Sequence, residues 1–123
     1  MTPEQAIPSS FRQFDGRGKS LCVVISVSPS THQYQIARNL VLAALERGVL
    51  VWIYLLDEAV HGLVEGGWRP VIQRGGRLLA CGEGLRRHGV EVEEDAVNRV
   101  GLSMLGEVIA KADRTLGFHG NSK

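Results

Sequence analysis

Little in this sequence carries a strong charge, redox or membrane signature. Fourteen basic residues against thirteen acidic ones leave a formal net charge of +1. Such balance gives no electrostatic case for nucleic acid or an anionic membrane surface as partner. Only two cysteines occur, Cys22 and Cys81, far apart and without metal-ligand spacing. That argues against a secreted disulfide framework and for reduced thiols in the cytoplasm. The four histidines, His32, His61, His88 and His119, form no H-x-x-x-H or Cys/His cluster, so no zinc site is expected. No apolar run approaches the roughly 20 residues needed to span a bilayer. The N-terminal stretch lacks the apolar centre of a signal peptide. There is no glycine-rich phosphate loop, internal repeat or low-complexity tract.

What is present is a chain of 123 residues, 44% of them hydrophobic. That fits one domain able to build a core without metal or disulfide staples. Residues 1–19 are polar, with Pro3, Pro8, Gly16 and Gly18, and read as a flexible arm. Ile7, Phe11 and Phe14 within it could dock on a neighbour. Residues 21–27 are near-continuously apolar and β-branched, as in a central strand covered on both faces. Ser30 with Gln33 makes a capping-box pattern. Behind it Ile36, Leu40, Val41, Ala44 and Leu45 recur at helical spacing up to Gly48. Residues 49–56 predict a second strand, parallel to the first through a right-handed crossover. Residues 57–64 predict a short helix capped by Asp57. Residues 65–70 predict a loop whose Trp68, if exposed, would mark a subunit contact. A further turn is expected over 71–74, then a third strand over Arg77–Cys81. An acidic link over 90–95 leads to a helical turn near 95–98 and a short fourth strand over 100–102. Ser103 then caps a helix holding Leu105, Val108, Ile109 and Ala112, and Arg114–Phe118 closes the sheet. The fold class is α/β, a three-layer sandwich on a mostly parallel sheet of about five strands. The domain is expected over residues 20–118, with 119–123 as a tail.

Chemistry concentrates at residues 78–90. An apolar strand ends at Cys81, breaks at Gly82 and turns into a basic segment closed by Gly89. Strand carboxyl ends are where α/β folds place ligands, and the thiolate, not the thiol, is the nucleophile. The backbone amides around Gly82 and Gly84, a helix start, and Arg86 or Arg87 would all favour a thiolate at Cys81. Glu83 opposes them. An ordinary buried strand cysteine is the competing reading, and it is the stronger one for Cys22 among valines. Position 84 is glycine, so no C-x-x-C redox motif exists. Ser28, Ser30 and Thr31 could contact an anion at the rim, lying beside Cys81 if the strand order is of the flavodoxin type.

These residues resemble a known family. Cys81-Gly82, Leu85, Arg86-Arg87 and Gly89-Val90 are similar to the cysteine motif of the DsrE/DsrF/TusD-like sulfur-relay proteins. Leu102-Ser103-Met104-Leu105-Gly106, followed by Ala112-Asp113-Arg114 and Phe118, resembles that family's closing helix and strand. The opening strand with its Ser-Pro-Ser loop is also similar. The resemblance implies a small Rossmann-like subunit carrying sulfur as a persulfide on Cys81, with Gly82, Arg86 and Arg87 steadying the anion. It implies a sulfurtransferase or relay protein as donor, a TusE/DsrC-like thiol protein as acceptor, and assembly into homo- or hetero-oligomers, trimers or hexamers. No metal or organic cofactor is implied. Two other functions fit the same residues. One is a non-catalytic homo-oligomeric module binding a small anion, with Cys81 dispensable. The other is a flavodoxin-like mononucleotide binder using residues 28–31.

Overall fold

A computed structural model of the chain describes residues 15–65, 67–92 and 97–120. Five strands form one sheet: β1 (Ser20–Ile25), β2 (Leu50–Leu55), β3 (Arg77–Cys81), β4 (Asn98–Val100) and β5 (Arg114–Phe118). Their order is β4-β3-β2-β1-β5, and every neighbouring pair is parallel. The helices are α1 (His32–Glu46), a 3-10 helix (Asp57–Glu65), α2 (Arg69–Gln73), α3 (Gly82–His88) and α4 (Leu102–Lys111). The expected α/β class and five-stranded sheet are what the structure has.

The route of the chain explains the layers. From β1 it steps to β2, β3 and β4 in one direction, then returns across the whole sheet to β5. Crossovers of one hand place helices on opposite faces when the direction reverses. Accordingly Val23, Ile25, Ile53 and Leu78 pack with Ala37 and Val41 of α1 and Leu85 of α3, forming the larger core. Cys22, Tyr54 and Leu79 face the other way and meet Val108 of α4. One ten-residue helix is about 15 Å long, whereas five strands span about 19 Å between outer axes. Among the described residues, coverage on that side is therefore incomplete. Leu102, Met104 and Ile109 of α4 remain 65%, 41% and 41% exposed.

Several local expectations need correction. The cap of α1 is Thr31, whose Oγ1 accepts from the Tyr34 amide at 3.2 Å, while the Ser30 hydroxyl pairs with that of Ser28 at 3.0 Å. The buried face of α1 runs through Tyr34, Ala37, Val41 and Ala44, and Ile36 is 46% exposed. The segment after β2 is a 3-10 helix, and Asp57 opens it at φ 54 in the left-handed region, which aspartate tolerates better than most residues. Trp68 is not an exposed contact: it is 2% exposed and its indole N–H donates to the Tyr34 hydroxyl at 2.6 Å. The fourth strand lies two residues earlier than expected, and Gly101, not Ser103, precedes α4. Of the turn expected near 95–98, Asn98 is in β4, while residues 95 and 96 lie outside the described residues. The arm over 1–14 and the tail over 121–123 also lie outside them. The Gly16 amide donates to the Arg47 carbonyl at 2.8 Å, beside the end of α1. Among the described residues, no helix is long and apolar enough to cross a membrane.

Candidate functional site

β3 carries the site because its residues 78–80 are locked in place. Leu78, Leu79 and Ala80 are buried, and the strand pairs with β2 on one side and β4 on the other. The chain then turns straight into α3, with Cys81 as the capping residue in extended conformation. Its side chain makes no capping hydrogen bond, so the thiol is not engaged in holding the helix start. Gly89 ends α3 at φ 66, a left-handed stop that glycine adopts without a steric penalty.

Cys81 is partly exposed and opens into a cleft of about 530 Å³ at the carboxyl ends of β2, β3 and β4. Leu56 and Asp57 form one wall, Gly82, Glu83, Gly84 and Arg87 a second, and Arg99, Val100, Gly101 and Leu102 a third. Gly84 is buried beneath the turn; a Cβ there would stand 3.2 Å from the Asp57 amide nitrogen and 3.6 Å from Cys81 Cβ. A side chain at 84 would therefore crowd the Asp57 backbone and touch the cysteine at ordinary van der Waals distance.

The expected stabilising residues divide. Gly82 and Arg87 line the cleft, whereas Arg86 does not. The Arg86 guanidinium donates to both carboxylate oxygens of Glu83, at 2.7 and 2.6 Å, on an exposed helix face. That hydrogen bond and charge hold the Glu83 carboxyl below its ordinary range. Glu83, read from the sequence as an opponent of the thiolate, thus has its charge answered locally.

Ser28, Ser30 and Thr31 are not at this cleft. They follow β1, and β2 stands between β1 and β3, so two strand spacings, about 10 Å, separate the loop from Cys81. The flavodoxin order that would have joined them is not the order observed. Their hydroxyls serve the loop: Ser28 Oγ accepts from the Ser30 amide at 3.3 Å, and Thr31 Oγ1 donates to the Ser28 carbonyl at 2.8 Å while capping α1.

Arg99 is the residue that the sequence reading missed. Parallel pairing sets Ala80 opposite Arg99 and Cys81 opposite Val100. This brings a basic side chain, eighteen positions further along the chain than Cys81, to the same mouth. Its position between the turn expected near 95–98 and the strand expected over 100–102 gave no local signal; only the pairing does. His88 and His61 form a second polar chain nearby. His61 Nε2 lies 3.0 Å from His88 Nδ1, and His88 Nε2 lies 3.2 Å from Asp57 Oδ1. No group of three or more potential metal ligands exists among the described residues.

The other cysteine behaves differently. Cys22 is fully buried in β1, and burial pushes its thiol pKa upward.

A family model for the DsrE/DsrF-like family matches residues 19–118. The chain belongs to that family. This DsrE/DsrF-like protein is also similar in structure to the ychN protein from E. coli. The TM-score is 0.71 at 16% identity, with 81% of this chain and 98% of the ychN chain covered. At that identity the likeness shows a shared fold. No curated protein matches the sequence. DsrE/DsrF-like proteins are, in general, related to sulfur relay.

Proposed function

We propose that the protein is a sulfur carrier that holds sulfane sulfur as a persulfide on Cys81. The supporting observation is the thiol's place: at a strand end, free of capping duty, and open to a cleft bordered by Arg87 and Arg99. In loading, the Cys81 thiolate attacks the outer sulfur of a donor persulfide. A bond forms between the two, the donor's S–S bond breaks, and the donor leaves as thiolate. In unloading, an acceptor thiolate attacks the same outer sulfur and Cys81 leaves as thiolate. Each step is thiol exchange and needs no external oxidant or reductant. Arg87 and Arg99 favour anionic sulfur at the mouth, and Gly82 keeps the turn slim beside it.

Donor and acceptor are read as thiol proteins, a sulfurtransferase or relay protein on one side and a TusE/DsrC-like protein on the other. The exposed apolar residues of α4 fit a homo- or hetero-oligomer, with a copy of this chain or a related subunit seated there. Cytoplasmic placement accords with unpaired cysteines.

Incubation with a low-molecular-weight persulfide, followed by intact mass measurement, tests the reading. One added sulfur atom on the wild type, lost in Cys81→Ser and kept in Cys22→Ser, is the expected result. No gain, or a gain indifferent to Cys81→Ser, overturns it. The same two arginines also support a second reading, an anion-binding module. That reading is favoured if Cys81→Ser retains full anion-dependent thermal stabilisation.

A further inference from the structure

The Tyr54 hydroxyl is an exception in a well-satisfied interior. Tyr54 is fully enclosed, and its oxygen has no hydrogen-bond partner among the described residues. A buried hydroxyl left without a partner has given up its hydration for nothing, a loss that phenylalanine would not suffer. Tyr54 sits in β2 opposite Leu79 of β3. Residues two apart on a strand share a face, so Cys81 lies on the same side of the sheet as Leu79 and Tyr54. Cys81 accordingly packs against the small cluster that contains Tyr54. Tyr54 does not line the cleft, so it meets the cysteine from the protein side, beneath the floor on which a substrate would sit.

Burial, and then the charge of the neighbouring Cys81, push the Tyr54 phenol up to about 12. It therefore keeps its proton throughout the range in which thiols ionise. A thiol is a weak acceptor, whereas an anionic one is strong. The accepting power of the neighbouring Cys81 sulfur therefore changes with its state.

We propose that Tyr54 is the internal hydrogen-bond donor to the Cys81 sulfur anion, unsatisfied while residue 81 is a thiol and satisfied when it is a thiolate. The contact rests on the shared face and packing of Tyr54 and Cys81; its role in turnover rests on the sulfur-carrier reading. In loading, Tyr54 steadies the attacking thiolate. In unloading, the S–S bond to Cys81 breaks, its electron pair returns to Cys81, and the same O–H receives it. The phenol keeps its proton in both steps.

Tyr54→Phe tests this. The variant is expected to melt no lower than wild type, because it loses an unpaired hydroxyl. Alkylation of Cys81 by iodoacetamide at neutral pH should slow about tenfold, with the pH of half-maximal rate moving upward. An alkylation profile identical to wild type overturns the proposal. A second measurement needs no change at Tyr54. Ultraviolet titration of tyrosine should show the most resistant phenol ionising at lower pH in Cys81→Ser than in wild type, and no difference counts against the bond. If wild type accepts no sulfur but both shifts appear, the carrier reading fails and the Tyr54–Cys81 bond is upheld. If wild type accepts sulfur and neither shift appears, the reverse holds.

Discussion

Arg99 lies across Gly82: a Cβ on that glycine would stand 3.3 Å from Cγ and 3.7 Å from Cδ of the arginine. The absence of a side chain at 82 is thus what lets a residue from the neighbouring strand reach the cysteine's mouth. If Arg99 draws anions there, Arg99→Ala should slow alkylation of Cys81 by the anion iodoacetate about threefold more than by neutral iodoacetamide. The difference should shrink as salt is added. Equal effects on the two reagents would show that Arg99 exerts no field at the sulfur.

Gly84 contrasts with Gly82. Its neighbours are the Asp57 backbone at 3.2 Å and Val60 Cγ1 at 3.6 Å, and backbone does not swing aside as an arginine stem does. Gly84→Ala should therefore destabilise by about 1–3 kcal/mol through overpacking, despite alanine's better helix propensity. Gly82→Ala should be near neutral, since an exposed side chain can yield. Paired urea unfolding curves decide the matter; equal midpoints for the two variants would mean that the 3-10 helix retreats without cost.

Trp68 anchors the approach to β3. Its indole donates to Tyr34, and the two rings meet edge to face with centroids 5.8 Å apart. Gly62 of the 3-10 helix lies directly against the same Tyr34 hydroxyl, with no room for a Cβ. Trp68→Phe removes the buried donor and should cost about 1–2 kcal/mol; Trp68→Ala should cost about 3–5 kcal/mol. Chemical denaturation measures both, and a phenylalanine variant as stable as wild type would deny the hydrogen bond its role.

Asp113 clamps the edge strand. Its carboxylate accepts from the Ser20 amide at 2.7 Å and from the Ser20 hydroxyl at 3.1 Å, and its own amide donates back to that hydroxyl at 2.9 Å. The backbone hydrogen bond from Ser20, and next the hydroxyl, hold the Asp113 pKa below its ordinary value. A depressed carboxyl stabilises the fold fully above its unfolded pKa of about 3.9 and ceases to do so as pH falls through the lower folded value. Wild type should melt above Asp113→Asn at neutral pH, and the gap should close in acid. A gap independent of pH would assign the effect to the neutral hydrogen bonds.

Legibility from the sequence followed the range of the interactions. β1, β2 and β3 are continuous apolar runs because both faces of a central parallel strand are covered, and the strand-end cysteine could be read from its own neighbours. Arg86 and Arg87 looked equivalent, because nothing local says which guanidinium the adjacent Glu83 will take. Trp68 sits among glycines, and its sequence neighbours left its exposure open; its burial depends on Tyr34, thirty-four positions away. Arg99 and the displacement of the 28–31 loop both hinge on strand order. Pairing β3 with β4, and inserting β2 between β1 and β3, are long-range choices that no window of neighbouring residues encodes.

α4 has two allegiances. Its first residue, Leu102, forms part of the cysteine cleft, and the same helix carries the bare strip through Met104 and Ile109. Any subunit that settles on that strip presses on a lever whose tip is the rim around the sulfur. Quaternary contact and thiol access would then be mechanically inseparable, and diluting the protein would retune its reactivity without altering a single covalent bond.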